Sequence, residues 1–255
     1  MRKKNFFTHR FCAFASKANR QIGFTGRRKF RRKEWLIFMK YQTIFFDLDG
    51  TLTDSFEGIA KSVQYALSHF GIQVNDLHEL RCFIGPSLYD SFREFYQMDH
   101  ETATLAVEKY RERFRDTGIY ENKLYKGVAS MLKTLCGAGF TLCVASAKPE
   151  VFVKRILEYF QISQYFDFAA GSLLDNTRKE KADVIRHILS QKQIADPSSV
   201  LMVGDRKHDA EGAQQTGLSF CGVLYGFGSR EELAAYPHVY LAQSPQELQE
   251  FLLHG

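Results

Sequence analysis

Residues 41–255 switch between short continuous apolar runs and longer stretches in which apolar positions recur every three to four residues. The first run, Thr43–Phe46, is β-branched and aromatic and reads as a buried strand ending at Asp47. From Ser55 to about Tyr125 the period is helical and charge-laced, with candidate helices Gly58–Phe70, His78–Phe83, Ser87–Tyr96 and Glu101–Thr117. Turns fall near Gly71 and Gly85-Pro86, and no strand run interrupts the block. From Gly127 the two patterns alternate. Candidate helices are Val128–Ala138, Glu150–Phe160, Lys181–Gln191, Ala210–Thr216, Ser229–Ala235 and Pro245–Leu253. Candidate strands between them are Phe140–Ala145, Phe166–Ala170, Val200–Val203, Ser219–Leu224 and Val239–Leu241.

Strands alternating with helices imply βαβ units, hence an α/β fold with a doubly wound parallel sheet. The all-helical block is then an insertion after the first strand. The expected organisation is a core from 41–55 and 126–255 and a helical cap from 56–125. Ligands of open α/β sheets bind beyond the carboxyl ends of the strands, so an insertion there is placed as a lid over the site.

Composition adds little until the charge is divided. Overall the chain is +5 and has the hydrophobic and charged fractions of an ordinary globular protein. Residues 1–40, however, hold thirteen Lys or Arg and one acid, Glu34, whereas the remainder is net acidic. The basic leader, which includes Arg27-Arg28-Lys29-Phe30-Arg31-Arg32-Lys33, lacks clear periodicity and is expected to be disordered or absent from the native protein. Met39 is read as the native start, because the first strand begins a few residues later. The competing readings are an arm for nucleic acid or an anionic membrane, and an Arg-rich transit peptide. Five scattered cysteines without C-x-x-C spacing suit thiols in a reducing compartment, so a cytoplasmic location is expected. No apolar run is long enough to span a bilayer.

The candidate chemistry lies where apolar runs end. Asp47 and Asp49 follow the first strand at a turn that Gly50 permits. Two carboxylates so close repel, and need either a held proton or a cation. The pair suits attack on phosphorus by one carboxylate and proton donation to the departing oxygen by the other. Thr51 adds a hydroxyl and an amide for phosphate. Ser146, at the end of the run Phe140–Ala145, can hold a phosphate oxygen or cap the next helix. Lys181 can neutralise charge on a transferring group. Lys179 is its rival, and Lys181 is preferred because it directly precedes the apolar face Val184, Ile185 and Ile188. Asp205 follows the run Val200–Val203, and Asp209 comes four residues later. Such oxygen donors match the octahedral shell of Mg²⁺, although Asp209 also suits a helix N-terminus. His208, beside Asp209, is expected at the surface or in support of the metal-binding carboxylates rather than as a ligand.

Asp47-Leu48-Asp49-Gly50-Thr51, Ser146, Lys181 and Gly204-Asp205-Arg206-Lys207-His208-Asp209, in that order, resemble the four motifs of the haloacid dehalogenase superfamily of phosphatases. The resemblance covers about 41–255. Phe83-Ile84-Gly85-Pro86, Glu121-Asn122-Lys123-Leu124-Tyr125 and Tyr225-Gly226-Phe227-Gly228-Ser229 extend it to the phosphoglycolate phosphatase-like group and its bacterial 5′-nucleotidases. Lys126 departs from the usual Pro before the Gly. The resemblance implies a Rossmann-like core with a helical cap, Mg²⁺ dependence and an aspartyl-phosphate intermediate. By position, Asp47 is the implied nucleophile and Mg²⁺ ligand. Asp49 is the acid/base, with its backbone carbonyl on the metal. Ser146 and Lys181 bind phosphate, Asp205 ligates Mg²⁺ and Asp209 supports it. Dehalogenases and phosphonatases lack an acid at the position of Asp49, so neither activity is expected.

The implied substrate is a small phosphomonoester, either a nucleoside 5′-monophosphate or phosphoglycolate. Arg81, Arg93 and Arg111 either face it or are solvated helix charges. The alternatives are β-phosphoglucomutase-like transfer to a sugar, and a nucleic-acid-binding protein that uses the basic arm. The sequence is silent on oligomeric state.

Overall fold

The computed structural model describes residues 40–175 and 177–254. The basic leader and the expectations attached to it therefore lie outside the described residues. Six strands form one parallel sheet: β1 (Thr43–Phe46), β4 (Thr141–Pro149), β5 (Phe168–Ser172), β6 (Val200–Gly204), β7 (Ser219–Val223) and β8 (Tyr240–Ala242). Their order is β5-β4-β1-β6-β7-β8, every neighbouring pair parallel. The crossovers are the helices α4 (Val128–Ala138), α5 (Glu150–Tyr159), α6 (Lys181–Gln191), α7 (Lys207–Thr216) and α8 (Arg230–Ala234), and α9 (Pro245–His254) follows β8. This is the doubly wound α/β fold expected from the alternating pattern. Central strands buried on both faces explain why Thr43–Phe46 and Val200–Val203 read as unbroken apolar runs. Phe45, Cys143, Val200 and Met202 join Val184, Ile185, Ile188 and Ala213 in one core layer. Ile44, Phe46, Leu142, Val144 and Leu201 are equally buried, and alternation along each strand assigns them to the other face.

Chain order runs outward from β1 through β4 to β5, then jumps back to β6 and runs outward the other way. The crevice between β1 and β6 is therefore the topological switch point, where ligands of such sheets bind. Between β1 and α4 lies the helical segment, with α1 (Phe56–Ser68), a 3-10 turn at Leu77–Phe83, α2 (Leu88–Tyr96) and α3 (His100–Asp116).

One expectation for this segment needs correcting, because it is not free of strand. Thr53–Asp54 (β2) and Lys123–Leu124 (β3) pair antiparallel where the chain enters and leaves it. Two residues are too few to print a period of two on the sequence. Strand β4 also runs on past Ala145, with an irregularity in its pairing before Pro149, so Ser146 and Lys148 belong to the strand and not to a loop after it.

Candidate active site

A tight turn follows β1. The amides of Leu52 and Thr53 both donate to the Leu48 carbonyl at 2.9 Å, and the Gly50 amide donates to the Thr53 carbonyl at 2.7 Å. Gly50 has φ +89°, and a Cβ there would come within 2.1 Å of Asp205 Oδ2. Only glycine gives both that backbone conformation and that approach. The turn brings Asp47, at the end of β1, beside Asp205, at the end of β6, and Asp209, in the first turn of α7. One carboxylate oxygen from each lies within 4.8 Å of the others, and all three residues are buried.

Lys181, the first residue of α6, is buried among them. Its Nζ donates to Asp47 Oδ1 at 2.7 Å and to the Ala145 carbonyl at 2.8 Å, and lies 2.8 Å from Asp209 Oδ1. Lys179 instead pairs with Asp90 of α2 at 2.6 Å, in the open. Ser146 is buried, and its Oγ accepts from the Lys148 amide at 3.3 Å. Thr51 directs its hydroxyl at Asp205 Oδ1, 3.4 Å away, while its amide donates to the Leu48 carbonyl. In this arrangement Thr51 orients a carboxylate. The Asp49 carboxylate stands apart from the trio and accepts from Lys148 Nζ at 2.7 Å.

Lys148 was missed from the sequence. Its ammonium also sits 4.7 Å from the centroid of Phe114, on α3, so it links Asp49 to the helical segment. The available signal was its spacing of two from Ser146, which in a strand puts both side chains on one face. The segment Tyr225–Gly228 was quoted only for its resemblance. Its Phe227 amide holds Asp205 Oδ2 at 2.7 Å, and the Tyr225 hydroxyl donates to the Thr51 carbonyl at 3.1 Å. Of the three arginines singled out, Arg81 lies over the Phe227 ring, Arg93 over Tyr89, and Arg111 is half-buried. His208 is partly buried, 3.6 Å from Glu211.

Four carboxylates thus lie with two ammonium groups in a largely buried cluster. Burial raises Asp47 to about 6; Lys181 opposes the rise and Asp209 adds to it. Burial, then Asp209 and Asp47, push Asp205 well above the carboxylate range. Burial would lower Lys181, but Asp209 and Asp47 outweigh it and hold the ammonium above its ordinary value. The upward shifts of Asp47 and Asp205 mark an excess of carboxylate that a divalent cation would balance. An all-oxygen donor set suits Mg²⁺.

The family model for haloacid dehalogenase-like hydrolases matches residues 44–223. The chain belongs to this family. A 5′-nucleotidase of Pseudomonas aeruginosa is 45% identical over 214 residues, covering 84% of this chain and 96% of its own. The tyrosine-protein kinase PtkA of Mycobacterium tuberculosis is 38% identical over 187 residues, covering 73% of this chain and 63% of its own. Among solved structures, a predicted phosphatase from Clostridium acetobutylicum superposes with a TM-score of 0.81 at 47% identity, covering 84% of this chain and 99% of that one. This haloacid dehalogenase-like hydrolase is a phosphatase, and the family generally uses Mg²⁺. Among the described residues no helix is long and apolar enough to cross a membrane, and Cys82, Cys136, Cys143 and Cys221 are free thiols.

Proposed function

We propose that this haloacid dehalogenase-like phosphatase is a Mg²⁺-dependent phosphomonoesterase. Its substrate in this reading is a small phosphorylated metabolite, with nucleoside 5′-monophosphates foremost and phosphoglycolate next. The observation that carries the reading is the buried group of Asp47, Lys181, Asp205 and Asp209 at the switch point. Asp47, Asp205 and the Asp49 carbonyl would hold Mg²⁺, with Asp209 in support, and the ion would offset charge on the phosphoryl group. An Asp47 carboxylate oxygen attacks phosphorus and the ester P–O bond breaks. Asp49 passes its proton to the departing oxygen. Asp49 then takes a proton from water, whose oxygen attacks the aspartyl phosphate and releases inorganic phosphate, restoring Asp47. Lys181 and Ser146 hold the phosphoryl oxygens through both steps, and positioning with charge neutralisation supplies most of the acceleration.

The division into a core, 41–55 with 126–255, and a cap, 56–125, belongs to the same reading. The cap would exclude water from the first step and select the leaving group. The scattered free thiols favour the cytoplasm.

Phosphate release from a panel of nucleoside 5′-monophosphates, phosphoglycolate, sugar phosphates and pyrophosphate, with and without Mg²⁺, tests the proposal. Selective release that Asp47→Asn abolishes, in a variant that still folds, is the expected result. Retained turnover in Asp47→Asn would refute the mechanism. The relative named as a kinase favours a second reading, transfer to a hydroxyl other than water. That reading predicts a phosphorylated acceptor in place of inorganic phosphate, such as mutase product formed with a sugar bisphosphate primer.

A further inference from the structure

Arg206 lies between the two carboxylates Asp205 and Asp209 in sequence, and its contacts extend well beyond them. Its amide donates to Asp209 Oδ2 at 3.1 Å. Its Nε donates to Glu232 Oε1 at 2.9 Å, and the same oxygen accepts from the amide of Lys207, the first residue of α7, at 2.7 Å. Its Nη1 donates to the carbonyl of Ile84, which follows the 3-10 turn of the helical segment. The next residue, Gly85, lies against the guanidinium: a Cβ there would be 3.2 Å from Nη1, and its φ of +107° excludes other residues without strain.

A second link starts from the same stretch. Arg81 donates to the Gly226 carbonyl at 3.4 Å and lies over the Phe227 ring, whose own amide holds Asp205. Residues 81–85 therefore touch one of the residues that hold each of the two carboxylates. The Arg206 side chain is 17% exposed, so undocking this stretch would leave the guanidinium with Glu232 alone and let water in.

We infer that Arg206 is a positioning residue that couples docking of segment 81–85 to the geometry of Asp205 and Asp209, and so to their affinity for a divalent cation. The inference rests on the functional reading above. Coupling of this kind is reciprocal: if docking tightens cation binding by some factor, the cation favours docking by the same factor.

Two measurements on the metal-free full chain test it: calorimetric titration with Mg²⁺, and hydrogen–deuterium exchange across 88–116 with and without the ion. In the unsubstituted protein Mg²⁺ slows exchange in α2 and α3. Arg206→Met binds Mg²⁺ about tenfold more weakly and loses that protection, while Arg206→Lys, which keeps one donor direction, falls between. Gly85→Ala strains the segment at its positive φ and crowds the guanidinium from that side, leaves the Arg206 amide bond to Asp209 in place, and weakens Mg²⁺ binding in the same sense. It also keeps the test decisive if Arg206→Met fails to fold. Unchanged Mg²⁺ affinity in Gly85→Ala, or in folded Arg206→Met, overturns the inference alone. Absence of Mg²⁺ binding in the unsubstituted protein overturns the functional reading and the inference with it.

Discussion

Lys181 shows how a single charge decides the state of the site. It is buried with its ammonium against Asp47 and Asp209, and removing it leaves two carboxylates facing each other without a counter-ion. Breaking a buried pair in this way costs about 3–5 kcal/mol. Lys181→Met is expected to lose about that much stability in metal-free urea denaturation at neutral pH. Mg²⁺ is expected to restore a large part of it, because the ion replaces the missing positive charge. Unfolding free energies that are the same for Lys181→Met and the parent would contradict the assignment. Which lysine occupies this place was legible only in part. Lys181 was favoured from its position ahead of an apolar face, but the carboxylates it meets lie 134 and 28 positions away.

Among the elements, the β2–β3 ribbon pairs the chain where it enters and leaves the helical segment. Glu121, just before β3, accepts a fork from Arg113 of α3 at 2.7 and 3.0 Å and a further bond from Lys61 of α1 at 3.3 Å. Its backbone carbonyl also accepts from the Gly58 amide at 2.9 Å. The network ties both ends of the segment to the ribbon. Its charges are only about one-fifth exposed apart from Lys61, so it is worth more than a surface pair. Glu121→Gln is expected to lower stability by about 1–2 kcal/mol and to speed exchange at the start of α1. An unchanged thermal midpoint and exchange rate would show that the ribbon holds without the fork. The glutamate was visible in sequence as part of a familiar stretch. Its partners were not, because sequence spacing says nothing about contacts between segments this far apart in the chain.

Over the whole molecule, the excess of buried carboxylate links stability to pH and to cation. Asp47 is held at about 6 in the metal-free fold, against an ordinary 3.8. The folded form therefore binds its proton more tightly than the unfolded chain does. That contribution is fully present below about pH 3.8 and is lost as pH rises through about 6, so the metal-free fold is penalised above this window. Asp205 is raised in the same direction. A bound cation removes the penalty, and the increase in Tm on adding Mg²⁺ is expected to be larger at pH 7.5 than at pH 5. An increase that does not vary across that range would contradict a cation seat built from these carboxylates.

The α/β class, the helical insertion and the strand-end positions of Asp47 and Asp205 were set by the sequence alone. Buried central strands write continuous apolar runs, and the polar residue ending each run is placed at the mouth of the sheet. The ribbon β2–β3, the extension of β4 through Lys148 and the grip of Phe227 on Asp205 were decided only by the tertiary structure. The same holds for Arg206, whose side chain meets a carbonyl 122 residues away. These features join segments distant in sequence or too short to show a period. They arise from parallel strands that bring non-adjacent chain ends to one crevice, and a linear pattern records the ends without recording which of them meet.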